Sequence, residues 1–120
     1  MLIGGWGRYP MIEAALSYPL SADEIKLNLL RGDAFCGIPR GLGRSYGDSS
    51  LAPQMISVNR INRFQSFDQN TGYLTCDSGV SIADILNIFA PKGWFLKVTP
   101  GTKHVSVGGA IASDVHGKNH

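Results

Sequence analysis

The feature that most constrains this sequence is the placing of its glycines. The chain has 15 glycines in 120 residues, well above the usual ~7%, and most lie in short clusters. The densest cluster is residues 40–50, RGLGRSYGDSS. Glycine allows positive φ angles and lets a ligand come close to the backbone, and a row of amides can form a nest for an anion. Residues 40–50 are therefore either an anion-binding loop, suited to phosphate or pyrophosphate, or a plain tight loop.

Two widespread phosphate-binding motifs do not fit this loop. A P-loop needs GxxxxGK[ST], which is absent. A Rossmann fingerprint needs GxGxxG at the start of an amphipathic helix, and residues 51–54, LAPQ, cannot begin such a helix. An anion would have to bind to the backbone of the loop itself, helped by the hydroxyls of Ser45 and Ser49 and the charge of Arg44.

A second glycine cluster covers residues 100–110, PGTKHVSVGGA. Ser106 is expected to cap a short helix with Gly108 and Gly109 in its first turn. Bare amides at a helix start attract anions, whereas the alternative explanation is close packing through small residues. Two such segments, each after a predicted strand, together favour a dinucleotide ligand.

The first half of the chain predicts an arm, a helix and two strands. Residues 1–20 show no period and are interpreted as an irregular arm. Ser21 and Glu24 form a capping-box pattern, so a helix should follow, with Ala22, Ile25 and Leu29 on one face and Gly32 at its end. Strands are predicted at residues 34–38 and 55–58, on either side of the glycine loop.

The second half predicts a hairpin, a strong helix and a further strand. Residues 64–67 and 73–76 flank a turn-forming DQNTG segment. Ser81 and Asp84 predict a second capping box, and Pro91 and Gly93 a helix end. The apolar face of that helix is Ile82, Ile85, Leu86 and Phe89. With a strand at residues 94–98, the pattern predicts an α+β fold: a small mixed or parallel sheet with flanking helices and a β-hairpin.

Composition excludes several classes of protein. With 43% hydrophobic residues, the chain is not a disordered tail, and it has no apolar run long enough for a membrane helix. Its 11 basic and 9 acidic residues are scattered, which argues against a nucleic-acid partner. No signal-peptide pattern is visible, so we expect a cytoplasmic protein with Cys36 and Cys76 as reduced thiols.

The last residues, 114–120, read DVHGKNH. His116 and His120 are spaced like zinc ligands, but Gly117 disfavours a helix that would place both on one face, and no further ligand is suitably spaced. We therefore predict no metal site.

Four segments together resemble the FAD domain of the vanillyl-alcohol oxidase family, also known as the PCMH-type. They are residues 41–48 (GLGRSYGD), 100–102 (PGT), 107–112 (VGGAIA) and 116–120 (HGKNH). Within the family the sequence most resembles the decaprenylphosphoryl-β-D-ribose 2′-oxidases, whose N-terminal arm is similar to residues 5–8. The resemblance implies that residues 21–120 are the N-terminal portion of the domain and residues 1–20 an arm. It also implies that a substrate-binding cap lies further along, so this stretch alone should be inactive.

The resemblance implies FAD as cofactor, with its pyrophosphate on residues 39–49 and its other parts near the second cluster. No histidine lies in the first loop, so FAD should be non-covalent. His116 would lie near the flavin, in position to stabilise charge on the reduced ring, and Lys118 would face the substrate. The implied cofactor-binding residues are Pro39, Arg40, Gly41, Leu42, Gly43, Arg44, Ser45, Tyr46, Gly47, Asp48, Ser49, Gly101, Ser106, Val107, Gly108, Gly109, Ser113, Asp114, Val115 and His116.

The implied reaction is hydride transfer from a carbinol carbon of a sugar to the flavin. The favoured substrate is a polyprenylphosphoryl pentose oxidised at its 2′-hydroxyl, which implies contact with the membrane surface and a partner reductase for the keto product. Two alternatives remain: a sugar-lactone or alditol oxidase, and a non-catalytic nucleotide-binding module.

Overall fold

A computed structural model describes residues 1–30 and 37–117. The chain divides into two compact units, Met1–Ile61 and Asn62–His120. The architecture is α+β, as predicted: the described residues form short strands in small sheets and three α-helices. No helix in the described part of the chain is long and apolar enough to cross a bilayer.

The first unit is built on a small parallel sheet. Its strands lie in the order β3, β5, β4, where β3 is Ala15–Ser17, β4 is Gly37–Arg40 and β5 is Gln54–Ser57, and both outer strands run parallel to β5. Parallel neighbours require a long crossover connection, and here residues 41–53 supply it. The glycine loop therefore begins at the carboxyl end of β4, the edge at which open parallel sheets bind ligands.

The interpretation of residues 1–20 as irregular is wrong. Strand β1, Leu2–Gly4, pairs antiparallel with β2, Met11–Glu13, and β3 follows in the parallel sheet. Gly4 ends β1, whereas Gly5, Gly7 and Pro10, which also suggested an irregular arm, lie in the turn between β1 and β2. Strands of three residues are too short to show an alternating pattern, and the partner of β3 is β5, far along the chain. The arm's boundary at residue 20 stays a prediction.

A small apolar core holds the arm to the sheet. Ile3, Ala14 and Met55 are buried together. Leu51 and Ala52, which end the glycine loop, pack against them, as do Ile12, Leu16 and Ile38. The arm and the far end of the loop are therefore anchored in one core.

Helix α1, Ala22–Leu30, starts as predicted but does not bury the predicted face. The Glu24 amide donates to Ser21 Oγ, while the Glu24 carboxylate accepts from the amide of Leu20 rather than that of Ser21. No residue of α1 is buried, and Leu29 is 53% exposed. The apolar residues at 25, 27, 29 and 30 spread around the helix axis, so no single face dominates. The predicted end at Gly32 and the predicted strand residues 34–36 lie outside the described residues.

The second unit contains the predicted hairpin, β6 (Phe64–Phe67) with β7 (Leu74–Cys76), antiparallel. Helix α2, Ile82–Phe89, has both hydrogen bonds of the capping box between Ser81 and Asp84. Its residues Ile82 and Ile85 are buried with Val80, and Leu86 and Phe89 pack on them. A 3₁₀ turn, Ala90–Lys92, ends at Gly93 with a φ of 87°.

The strand predicted at residues 94–98 does not form. Trp94, Leu96 and Val98 are half-buried and alternate with exposed Phe95 and Lys97, so the alternation of a strand is present. However, no β-ladder among the described residues includes this segment. A strand depends on a hydrogen-bonded neighbour as well as on its own side-chain pattern.

Candidate functional site

The predicted glycine loop is a loop in the structure, and two of its glycines have left-handed backbone conformations. Gly43 has a φ of +65° and Gly47 a φ of +60°, values that residues with a side chain rarely adopt. Gly43 is buried, whereas Tyr46 is 77% exposed. Glycine is therefore favoured at positions 43 and 47 because the backbone has a positive φ there.

Arg40 holds the two ends of the loop. Its Nη1 donates to the carbonyl (3.0 Å) and to the hydroxyl (3.2 Å) of Ser50, and its Nη2 donates to the carbonyl of Gly4 at 2.7 Å. Partial burial lowers the pKa of the guanidinium from its ordinary value, but the group stays charged at neutral pH. The sequence suggested that Arg40 binds cofactor; in the structure its hydrogen bonds join the loop to β1.

The turn between β1 and β2 contacts the middle of the loop. The Trp6 amide donates to the carbonyl of Ser45 at 3.1 Å, and the guanidinium of Arg44 lies over the Trp6 ring, 5.4 Å from its centroid. Gly5 is so close that a Cβ there would lie 2.7 Å from the Ser45 carbonyl oxygen. Residues 5–6 thus contact the loop. The sequence did not predict this contact; it showed only that residues 5–8 are similar to the N-terminal arm of the ribose oxidases.

The hydrogen bonds of the loop are asymmetric. The carbonyls of Ser45, Asp48 and Ser50 accept bonds from Trp6, Leu51 and Arg40. In contrast, no backbone amide of residues 42–50 donates to an acceptor among residues 1–30 and 37–117. The hydroxyls of Ser45 and Ser49 likewise donate to none of these residues. The donors available at this loop therefore suit an anion, which is one of the two interpretations that the sequence left open; binding of an anion here stays a prediction.

The second predicted segment differs from the first. Ser106 caps helix α3, Val107–Ala112, by accepting from the Gly109 amide. The amides of Val107, Gly108 and Ala110 donate to the carbonyls of Val80, Ser78 and Ser106. The expectation of bare amides at this helix start is therefore wrong, because other parts of the chain already occupy them.

Gly108 packs closely against Ser78. A Cβ atom there would lie 3.0 Å from the Cβ of Ser78 and 3.3 Å from its carbonyl oxygen. This is the close approach of small residues that the sequence left open as an alternative. Contact of Gly101 and residues 106–109 with a cofactor stays a prediction.

Helix α3 ends in a Schellman motif that positions the next predicted residues. The Val115 amide donates to the Ala110 carbonyl and the Asp114 amide to the Ile111 carbonyl, with Asp114 left-handed at a φ of 50°. His116 follows, exposed, with its Nδ1 atom 2.6 Å from the Asp114 carbonyl oxygen.

Lys118, which the resemblance places facing the substrate, and His120 lie outside the described residues. Within residues 1–30 and 37–117, no group of three His, Cys, Asp or Glu side chains could hold a metal ion.

The second unit also has an open apolar cleft of about 630 Å³. It lies among β7, α2, α3 and residues 96–100. Burial, and secondarily the charge of Asp77, raises the pKa of the Cys76 thiol at its edge, so Cys76 is a protonated, weakly nucleophilic thiol at neutral pH. The lining residues are Gly72, Tyr73, Leu74, Cys76, Ile82, Ile85, Leu96, Val98, Pro100, Val107, Ala110, Ile111, Asp114 and Val115.

Comparison with known proteins identifies the class. A family profile described as an FAD binding domain matches residues 17–120, and the chain belongs to this family. Its cofactor is FAD, as the resemblance implied. The positive-φ glycines of residues 42–50, and the amides there that donate to no described residue, fit the diphosphate of that cofactor. The predicted cofactor residues fall in both compact units: residues 39–49 in the first and the others in the second.

Individual relatives refine the comparison. The chain is 40% identical to decaprenylphosphoryl-beta-D-ribose oxidase of Mycolicibacterium smegmatis, over 97% of this chain and 26% of the relative. An uncharacterized protein of Streptomyces coelicolor is 42% identical over 41 residues, which are 34% of this chain and 11% of that protein. The predicted resemblance to the ribose oxidases within this family is confirmed.

Among solved structures, cholesterol oxidase from Brevibacterium sterolicum superposes with a TM-score of 0.81. The sequence identity is 17%, and the match covers 97% of this chain and 24% of the oxidase, so it supports the fold. The chain spans about a quarter of the length of the ribose oxidase and of cholesterol oxidase.

Proposed function

We propose that the complete gene product is an FAD-dependent oxidoreductase that oxidises a sugar hydroxyl, with the pyrophosphate of FAD on residues 39–49. The observation that carries the proposal is the asymmetry of the loop: the carbonyls of Ser45, Asp48 and Ser50 accept hydrogen bonds, while the amides of residues 42–50 donate to no described residue. A diphosphate requires many donors, and a loop with positive-φ glycines lets it approach the backbone.

Amides, hydroxyls and one positive charge of the loop contribute to binding of the diphosphate. The amides of residues 42–50 and the hydroxyls of Ser45 and Ser49 donate to phosphate oxygens, and Arg44 adds a positive charge. Asp48 is the only acid within residues 40–50, and it is exposed. No histidine lies in the loop, so the cofactor is held there without a covalent bond.

The bound FAD would supply the redox chemistry by accepting a hydride from the carbinol carbon. In the second unit, His116 and Lys118 are the proposed residues near the flavin and the substrate. The imidazole of His116 is exposed, with its Nδ1 atom 2.6 Å from the Asp114 carbonyl oxygen, and is the proposed group that balances charge near the ring.

The proposed substrate is a polyprenylphosphoryl pentose, oxidised at its 2′-hydroxyl. Support comes from the 40% identity to decaprenylphosphoryl-beta-D-ribose oxidase over 97% of this chain. The keto product would pass to a partner reductase. A lipid-linked substrate would bring a cytoplasmic enzyme to the membrane surface.

The test is anaerobic reduction of the FAD-loaded protein, followed as loss of flavin absorbance. A polyprenylphosphoryl ribose should bleach the flavin, whereas sugar lactones and alditols should not. Bleaching by a lactone or an alditol instead would show that the proposed substrate is wrong and that the protein is nevertheless an FAD-dependent oxidoreductase. Binding of FAD without bleaching by any of these sugars would favour a non-catalytic nucleotide-binding module.

A further inference from the structure

We propose that the turn between β1 and β2, through Gly5 and Trp6, is a positioning element of the FAD-binding loop. This inference rests on the proposed function, since it assigns the loop to the FAD diphosphate. In this role, Gly5 and Trp6, which lie outside the glycine motif, set the direction in which the loop amides point.

The hydrogen bonds around Ser45 carry the argument. Each peptide group has a carbonyl and an amide that point in roughly opposite directions, so fixing one fixes the other. The Trp6 amide holds the Ser45 carbonyl at 3.1 Å. The amide that shares this peptide plane belongs to Tyr46, and it donates to none of the described residues. Trp6 therefore turns the carbonyl toward the arm and the Tyr46 amide away from it.

Gly5 permits this close approach. A Cβ atom at position 5 would lie 2.7 Å from the Ser45 carbonyl oxygen and 3.1 Å from that of Gly47. Both neighbours are backbone atoms of the loop, so a side chain at position 5 could be accommodated only by moving the loop or the arm. Two residues further on, a Cβ at Gly7 would meet nothing within 4 Å.

The Trp6 ring acts on a different part of the loop. The Arg44 guanidinium lies over the ring, 5.4 Å from its centroid, at a distance at which the cation and the ring attract each other. Arg44 is exposed and has no ion-pair partner among residues 1–30 and 37–117. The ring therefore limits the directions available to a charge that would otherwise move freely in solvent.

Gly5→Ala and Gly7→Ala form a matched pair for the test, made in the complete gene product. We expect Gly5→Ala to raise the Kd for FAD by about ten- to a hundredfold, the effect of losing one or two hydrogen bonds to a charged ligand. Gly7→Ala should bind FAD like wild type. The Kd is measured by fluorescence titration of apoprotein, well below the unfolding temperature of each variant, so that a loss of stability alone does not change it.

A second readout reports on the diphosphate itself. The ³¹P resonances of bound FAD should shift in Gly5→Ala and not in Gly7→Ala, while the absorbance bands of the flavin ring stay in place. If Gly5→Ala does not fold, Trp6→Leu takes its place. That variant keeps the backbone donor and loses the aromatic face, so the expected Kd increase is about two- to fivefold.

The outcomes separate this inference from the proposed function. Wild-type protein that binds no FAD would overturn both. Wild type that binds FAD, with Gly5→Ala matching Gly7→Ala in Kd and in ³¹P spectrum, would overturn the positioning role alone. Where Trp6→Leu is the variant tested, wild-type Kd and wild-type resonances would have the same meaning.

Discussion

Gly43 lies directly against the guanidinium of Arg40. A Cβ atom at position 43 would overlap Nη2 of that arginine, which is the atom that donates to the Gly4 carbonyl. The absence of a side chain at position 43 thus protects the link between the loop and strand β1. A side chain at position 43 should therefore lower the stability of the protein even when no ligand is bound.

We therefore expect Gly43→Ala to destabilise the FAD-free protein more than Gly47→Ala. Both glycines have a positive φ, which costs an alanine about 1 kcal/mol. Only the alanine at position 43 would also displace the Arg40 side chain, whose hydrogen bonds to backbone and hydroxyl contribute about 1.5–3 kcal/mol to the free energy of unfolding. Denaturant unfolding of the two apoproteins measures the difference.

The control is the same comparison made with Arg40→Met. In that background Gly43→Ala and Gly47→Ala should be equally stable, because the guanidinium that a Cβ atom at position 43 would overlap is absent. If Gly43→Ala and Gly47→Ala were equally stable with Arg40 present, the proposed overlap would be refuted.

Helix α2 offers a second matched pair. Ile85 is 7% exposed and Ile88 is 41% exposed. Ile85→Ala should lower the free energy of unfolding by about 2–5 kcal/mol, as expected for a core truncation, and Ile88→Ala by well under half of that. Equal losses in thermal or denaturant unfolding would show that the buried face of α2 has been misassigned.

The end of α3 gives a prediction about backbone strain. Asp114 has a φ of 50° within the Schellman motif, a conformation that aspartate tolerates and valine does not. Asp114→Val should cost about 1–2 kcal/mol, while Asp114→Gly should keep or raise the stability of the FAD-free protein. A valine variant as stable as the glycine variant would contradict this geometry.

The turn of the β6–β7 hairpin should contribute to pH dependence. The Asn70 amide, followed by smaller contributions from Thr71, lowers the pKa of Asp68 below its ordinary value of 3.8. Because the folded protein prefers the charged carboxylate, the stabilisation is present above pH ~4 and is lost as the pH falls through the folded pKa.

The measurement is the free energy of unfolding of wild type and Asp68→Asn from about pH 6 to about pH 2. The asparagine oxygen can still accept the two amides, so the variant should lose less stability than wild type on acidification. Parallel pH profiles would mean that Asp68 does not titrate differently in the folded state.

Local patterns predicted the second half of the chain better than the first. The capping box formed by Ser81 and Asp84, the start of α3 at Ser106 and the β6–β7 hairpin depend on residues close in sequence. Strand β3 pairs with the distant β5, and residues 94–98 have no β-ladder partner among the described residues; no local pattern contains either fact. Strands β1 and β2 pair with each other, but at three residues each they are too short to show a period. The same limit applies to the site: the glycines of the loop were visible, but the bonds from Arg40 to Gly4 and from Trp6 to Ser45 cross more than 30 residues.

The most direct test of the account is a visible absorption spectrum of the complete gene product, purified and desalted, before and after acid precipitation. If FAD is bound without a covalent bond, the flavin spectrum should move into the supernatant. A protein that is colourless and takes up no added FAD would contradict the central claim that residues 39–49 bind its diphosphate.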